Sequence, residues 1–231
     1  VDLTLQRLDK KSDHLKENVD KFFAKQKNRI VKRLREEFKS SKDVTQRIRK
    51  IFDVEEEKGL TIDFIVPYIT EYLRESGQSN LLMLDPGKEF IMSARVERFI
   101  RKRSEMFAKE VSNYTLEGLE RTLSEGIESS EGIQALSKRV ADMFGEYSSY
   151  RSERIARTEA TAANNEGSIE AFKQSEIIKG KEWIATMDAR TREEHAALNG
   201  EIVGLNDSFS NGLQYPSEPN CRCVVGPTIE S

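Results

Sequence analysis

Apolar residues recur at three- and four-residue spacings over most of this chain, and only the last fifty or so residues abandon that rhythm. Leu8, Leu15, Val19, Phe22, Phe23, Ile30, Leu34 and Phe38 make one stripe, which predicts an amphipathic helix of about thirty residues. A lone helix of that kind needs a partner along its apolar stripe, because packing rather than propensity stabilises most helices in water. Val44, Ile48, Ile51 and Phe52 make a second, short stripe. Thr61 to Arg74 is richer in β-branched and aromatic residues and contains Pro67, so a helix there is expected to kink or start near the proline. Ser76-Gly77 and Asp85-Pro86-Gly87 read as breaks.

A second helical set follows. Phe90 to Ser112 is charged and amphipathic, and Leu116, Leu119 and Leu123 lead to a break at Glu125-Gly126. Ile133, Leu136, Val140, Met143 and Phe144 repeat at helical spacing until Gly145, which reads as a stop. Between Tyr150 and Ser175 the texture changes: Ala156, Ala160, Ala163, Gly167 and Ala171 line one face with small residues. Such a face lets another backbone approach closely. Arg151, Glu153, Arg154, Arg157 and Glu159 crowd the first turns of this helix. Intrahelical ion pairs there would each contribute only about 0.2–0.5 kcal/mol; the alternative is a set of guanidinium groups that hold the segment downstream. No internal repeat of 20–50 residues is evident.

The last fifty residues read as short strands and turns. Lys181 to Met187 alternates well enough for a strand. Thr191 with Glu194 fits a capping box that opens a short helix through His195 and Leu198, and Asn199-Gly200 supplies a left-handed turn to end it. Glu201 to Val203 and Val224-Val225 offer two further strands around a turn-rich loop from Ser208 to Pro219. The fold class expected is α+β: a mostly helical N-terminal two-thirds, with a small β-hairpin or sheet unit packed on the small-faced helix. The expected division is a helical region over 1–85 and a second domain over 86–231.

Composition narrows the class. With 37% hydrophobic and 33% charged residues and a mean hydropathy of -0.63, the chain is rich in exposed helix and has a rather small core. No apolar run approaches a membrane span, so no membrane partner is expected. The chain opens Val1-Asp2-Leu3 with neither methionine nor a signal peptide, which suggests a piece of a longer protein. Net charge is -3, yet residues 21–50 hold 12 basic against 3 acidic residues. That asymmetry fits either a DNA-facing arm or a solvated helix face, and no base-reading or stacking motif is interleaved with it. There is no Walker loop and no GxGxxG sequence.

The reactive side chains gather near the C-terminus. Asp188, His195, Cys221 and Cys223 are four residues of zinc-binding types, and a closed site would staple the C-terminal hairpin to the helix at 191–198. Cys-x-Cys is a less usual zinc spacing than Cys-x-x-Cys, and Asp188 could serve instead to accept helix N–H groups near 190–192. A disulfide between Cys221 and Cys223 would close a very small ring, so reduced thiols are expected. One reading without metal makes both cysteines small buried side chains, with Arg190, Arg192 and Arg222 pairing nearby carboxylates. A third arrangement sets either cysteine beside His195 as a hydrolase nucleophile, without any oxyanion signature around it. His14 lies on a charged helix and reads as solvated; Trp183 reads as a core anchor.

The order of these pieces carries a resemblance. Arg154-Ile-Ala-Arg157-Thr158-Glu159, Lys181-Glu-Trp183, Asp188-Ala-Arg190-Thr-Arg192-Glu-Glu-His195, Asn199-Gly200, Phe209, Gly212, Tyr215-Pro216 and Asn220-Cys-Arg222-Cys follow one another as they do in a known family. The chain resembles the head-morphogenesis domain of tailed phages, the Mu F-like or SPP1 gp7-like minor head proteins, over roughly residues 95–226. The upstream helices are similar to those that precede this domain in minor head proteins and in portal fusions. Family members often have Asp at the place of Asn199 and Pro at the place of Gly204. The resemblance implies a structural virion protein, without catalysis, assembled in the host cytoplasm. Its partners would be the portal and capsid or scaffold proteins, and residues 21–50 could serve portal, scaffold or DNA contact alike. It further implies an influence on genome packaging or ejection. Some relatives carry a toxin domain downstream, and none is expected within this sequence.

Overall fold

The computed structural model describes residues 2–37 and 44–229, with side chains at 6–37, 48–145 and 150–229. Phe38 and the rest of 38–43, part of the basic stretch at 21–50, lie outside the described residues, as do the side chains of residues 44–47. The elements run α1 (Asp2–Glu37), α2 (Val44–Ile51), α3 (Val54–Leu84), α4 (Ala94–Glu128), α5 (Ile133–Ser175), β1 (Gly180–Ile184), α6 (Glu193–Ala197), β2 (Ile202–Gly204) and β3 (Val224–Thr228). The fold is α+β and mostly helical, as the periodicity predicts. No helix among the described residues is long and apolar enough to cross a membrane.

The helices outrun three of the four expected breaks. Asp85-Pro86-Gly87 does end α3, but Ser76-Gly77, Glu125-Gly126 and Gly145 all lie inside helices. At two of these places glycine marks close packing instead of a stop. A Cβ on Gly77 would stand 2.3 Å from the Phe90 ring, and one on Gly126 would stand 2.5 Å from a Leu136 methyl. At Gly145 a cost of about 1 kcal/mol for glycine in a helix is outweighed by the burial of Val140, Met143 and Phe144 just before it. Pro67 likewise sits within α3 rather than at its start. The buried stripe Ile65, Ile69, Tyr72 and Leu73 overrides the weak helix propensity of that stretch.

The chain divides into two compact units, one of Glu17–Val66 and Arg101–Ser152, the other of Val1–Lys16, Pro67–Ile100 and Glu153–Ser231. The first unit is helical. Asp53 caps α3, its Oδ1 accepting from the N–H groups of Glu55 and Glu56 at 3.0 and 3.1 Å. Glu57 is fully buried and is satisfied from α1: Gln26 Nε2 donates at 2.9 Å, and Arg29 makes a two-point contact at 3.2 and 2.7 Å. Arg33 pairs with Glu56 at 2.6 Å. Phe22 stacks on Phe64 with ring centroids 4.7 Å apart. In the same unit the Arg151 guanidinium lies over the rings of Phe23 and Tyr114, at 4.4 and 4.6 Å.

The second unit is built around the C-terminal half of α5, where every residue from 159 to 172 is buried. Its small face behaves as expected: Ala156, Ala160, Ala163 and Ala171 are almost wholly enclosed. A Cβ on Gly167 would stand 2.3 Å from the Leu73 carbonyl oxygen and 3.0 Å from the Gly77 nitrogen, so α3 and α5 meet backbone to backbone. Ser76 seals that crossing by donating to Asn164 O at 2.8 Å. Arg95 of α4 spans Glu166 and Glu170 at 2.6 and 2.8 Å. Burial pushes the Glu166 carboxyl above its ordinary range. His14 is exposed, yet its Nδ1 meets the Tyr72 hydroxyl at 3.1 Å, so it is not merely solvated.

The strands form one antiparallel sheet in the order β2-β1-β3. Glu182 is opposite Ile202 in β2 and Gly226 in β3, and Trp183 is opposite Val225. Ile169 and Phe172 of α5 pack with Ile178, Trp183, Leu198, Phe209 and both cysteines into one apolar cluster.

Candidate metal centre in the C-terminal segment

Trp183 anchors the site from the middle of β1. It is fully buried and meets the His195 and Phe209 rings edge to face, at centroid distances of 5.3 and 5.1 Å. Helix α6 presents His195 to this surface. The expected Thr191/Glu194 capping box is not formed: the N-cap is Arg192, with no side-chain cap, and the Thr191 hydroxyl donates to the Thr186 carbonyl instead. The tight turn from β1 into α6 explains the difference. It brings Thr191 back onto Thr186 and directs Asp188 Oδ1 at the Arg190 N–H, 2.9 Å away. Gly200, at φ +84, ends α6 in the left-handed turn that Asn199-Gly200 predicts. Asn199 adds a bond of its own, its Oδ1 accepting from Ala185 N at 2.9 Å.

The second arm of the site is the run from Asn220 to Cys223, which leaves a turn at Asn220 and leads into β3. A face of α5 opposite its small residues holds this run by hydrogen bonds to backbone. Thr158 Oγ1 accepts from Asn220 N at 2.9 Å, and Thr161 Oγ1 donates to Cys221 O at 3.0 Å. Asn165 Nδ2 donates to Pro216 O and Cys223 O at 2.9 and 3.2 Å, while its Oδ1 accepts from Val225 N at 3.1 Å. Arg157 reaches Asn220 Oδ1 at 2.5 Å and Glu153 at 2.8 Å, combining the two roles the sequence leaves open for this arginine cluster. Asn220 itself adopts φ 63, a conformation asparagine tolerates. Side chains alternate along an extended run. Cys221 and Cys223 therefore face inward, and Arg222 points to Asp188, with two contacts of 2.5 Å.

Three of the four expected ligand-type residues come together. His195, Cys221 and Cys223 are each 3% exposed or less, and their ligand atoms lie within 4.8 Å of one another. His195 Nδ1 stands 3.4 Å from Cys221 Sγ and 3.7 Å from Cys223 Sγ. Its Nε2 bonds Glu218. Asp188 is not in this group; the Arg222 guanidinium, followed by the Arg190 N–H, holds its carboxyl well below the usual range. Both cysteines are unbridged. The two thiols titrate as a pair: their mutual hydrogen bond lowers the Cys223 thiol and raises that of Cys221. A cavity of about 150 Å³ borders the three residues, walled also by Thr186, Arg190, Arg192 and Asn220.

The remaining motif residues frame the site. Arg192 donates to Pro219 O at 2.5 Å and lies 3.7 Å from Glu218. Arg190 is exposed, 3.7 Å from Asp188. Glu159 is buried in α5, and Arg154 is exposed with its carbonyl accepting from the Thr158 hydroxyl. Sequence reasoning missed Glu218, Thr161, Asn165 and Lys181. Lys181 is buried in β1 and donates to Leu205 O and Asp207 O at 3.2 and 2.7 Å; burial lowers it to about 8. Its place two residues before Trp183, on the same side of the strand, was the available signal for an inward lysine.

Residues 117–226 match the family model described as phage Mu protein F like protein. A protein of Bacillus subtilis strain 168, called uncharacterized protein YqbB, is 26% identical over 180 residues, covering 71% of this chain and 59% of that protein. Minor head protein GP7 of Bacillus phage SPP1 is 21% identical over 228 residues, covering 94% of this chain and 66% of GP7. The NAD(+)–arginine ADP-ribosyltransferase EFV of Enterococcus faecalis is 30% identical over 90 residues, a match covering 33% of this chain and 18% of that enzyme. The chain thus spans less than two-thirds of the length of each of these relatives. No solved structure matches it.

Proposed function

We propose that this chain, which belongs to the phage minor head protein family through its Mu F-like region at 117–226, is a structural component of a phage head that acts at the portal vertex. The observation that carries the reading is the similarity to GP7 over 94% of this chain and 66% of GP7, together with the match at 117–226. In this role the protein assembles with portal and coat or scaffold proteins in the host cytoplasm, enters the virion, and influences packaging or ejection of the genome. Its work is done by surfaces, not by a nucleophile: both thiols are buried, against the polar face of α5 and beside a cavity walled by Arg190, Arg192 and Arg222. Slow iodoacetamide labelling of both thiols in the folded protein is the expected outcome, and rapid labelling at neutral pH would favour a hydrolase.

The test of the main reading is co-purification with the cognate portal. The full chain is the right material, because a cut between 85 and 86 would divide the unit formed by Val1–Lys16, Pro67–Ile100 and Glu153–Ser231. Capture of the chain by portal, and its recovery from purified virions, are expected; failure of both would overturn the reading.

A second reading, DNA contact through residues 21–50, has a narrower base. Lys21, Lys25, Lys32 and Arg35 are exposed on α1. Lys27, Lys32, Arg35 and Lys138 also wall one groove of the helical unit, together with Glu36. Against it, Arg29, Arg33 and Lys50 are matched by Glu57, Glu56 and Glu37 within the protein. DNA affinity that falls steeply with salt is what this reading requires.

A further inference from the structure

We infer that His195, Cys221 and Cys223 bind one zinc ion through Nδ1 and the two Sγ atoms, with solvent in the fourth position. The first argument is metric. Zinc–sulfur and zinc–nitrogen bonds of about 2.3 and 2.0–2.1 Å at tetrahedral angles place a nitrogen and a sulfur ligand about 3.6 Å apart. The two contacts from Nδ1, 3.4 and 3.7 Å, bracket that edge.

The second argument is the direction of the imidazole. Glu218 accepts at Nε2, which places the ring proton there and leaves the Nδ1 lone pair facing the sulfurs. Two thiols then converge on one lone pair, which can accept from only one of them. A cation between the three atoms uses both sulfurs and the lone pair at once. A carboxylate behind the histidine is also the usual support of a zinc-bound imidazole. The Cys223 N–H points at Cys221 Sγ at 3.4 Å, a contact that suits a metal-bound thiolate.

The third argument is charge and softness. Two thiolates neutralise a dication exactly once each, and sulfur with imidazole selects zinc over the hard cations. Asp188, an expected ligand, is committed to Arg222 and is absent from the cluster. The fourth position therefore opens to the cavity of about 150 Å³, whose wall of Arg190, Arg192 and Arg222 favours water or a small anion there. The Cys-x-Cys spacing follows from the extended run: alternate residues share a side, so two cysteines two apart meet one ion without the turn that Cys-x-x-Cys requires. The ion would tie α6 to the segment entering β3, two pieces that share no strand pairing with each other.

The experiment uses the full chain, purified from zinc-supplemented cells and dialysed without chelator. Elemental analysis is expected to give one zinc per chain in the wild type and in Asp188→Asn. The Cys221→Ser/Cys223→Ser double variant should retain none. Cobalt substituted into the wild type should show thiolate charge-transfer bands and the intense visible absorption of a tetrahedral site, and the melting temperature should fall on chelation. Zinc in the wild type no higher than in the double variant, with melting unchanged by chelator or by added zinc, would overturn the assignment. Loss of zinc in folded Asp188→Asn would overturn the solvent position and give Asp188 the fourth place. If the double variant fails to fold, the metal content, cobalt spectrum and chelation shift of the wild type still decide.

Discussion

Two faces of α5 are buried by different means. Toward α3 the helix offers shape: Gly167 sits against the Leu73 carbonyl, with no room for a single added carbon. Toward the C-terminal segment it offers polar groups: Thr158, Thr161 and Asn165 bond the backbone of residues 216–225. The first face fixes how near two helices come, and at Gly167 only the absence of a side chain permits that approach. The second fixes the register of a chain with little secondary structure of its own, because each bond names one backbone atom. Small residues set distance, whereas polar residues set alignment.

The largest expected effect is on the polar face. Asn165→Ala would leave Val225 N–H without its partner and take a donor from Cys223 O and Pro216 O, all in a buried setting. A loss of about 3–5 kcal/mol in denaturant unfolding is expected. Hydrogen exchange should locate the loosening in residues 216–225, with α3 still protected. Protection lost equally from α3 would break the comparison, since the two faces would then be one cooperative device.

Gly167→Ala comes next. Its added carbon meets backbone at 2.3 Å, which cannot rotate away, and overpacking of this kind costs about 1–3 kcal/mol. The expected signature is faster exchange in α3 around 73–77. An unchanged melting temperature would show that the crossing is looser than its contacts imply.

Lys181 tests alignment by titration. Burial holds its folded value near 8, below the ordinary 10.5, so between those values the unfolded chain binds more protons. Stability from this group therefore rises as pH climbs from about 8 to 10.5, and is lost as pH falls back through 8. The difference in unfolding free energy between wild type and Lys181→Met should follow that rise. A difference that is flat with pH would remove the charged lysine from beneath Leu205 and Asp207.

The smallest effect belongs to Asp188→Asn, at an exposed ion pair. Its carboxyl is held below the ordinary range, so whatever the pair contributes is present above that range and lost as pH falls below it. The stability difference between wild type and Asp188→Asn should be small near neutrality, because the pair is exposed, and should shrink toward zero as pH falls below the ordinary carboxylate range. A large loss at neutral pH would mean that Arg222 and Asp188 hold the β1–α6 turn as firmly as Asn165 holds β3.

The contrast between the faces also explains what could be read from the sequence. Helical periodicity located the long helices, and Ala156, Ala160, Ala163 and Gly167 announced a close approach, because both are patterns within one element. The three strands and the Asn199-Gly200 turn were legible for the same reason. Glycine was ambiguous: at Gly77 and Gly126 it makes room for a neighbour, and that neighbour comes from elsewhere in the chain. Thr161 and Asn165 looked like ordinary polar helix residues, since their hydrogen-bond partners lie 51–60 residues away. Residue type was enough to collect His195, Cys221 and Cys223, but it chose Asp188 as their companion. Glu218 lies in a loop with no periodicity to single it out, and only the fold shows that it, and not Asp188, stands behind the histidine.

The burial of residues 159–172 on every side has a consequence for the order of events during synthesis. Asn165 leaves the ribosome 60 residues ahead of Val225, and Ser76 leaves 88 ahead of Asn164. A newly made α5 thus carries an unmatched polar edge until the final strand emerges. Non-local closure of this sort is slow, and a chain waiting for it exposes apolar surface. The second unit should therefore complete itself only after translation has passed β3, whereas the helical unit, finished by Ser152, has no such wait. A nascent chain stalled just beyond Ser175 would be the species most exposed to chaperones and proteases.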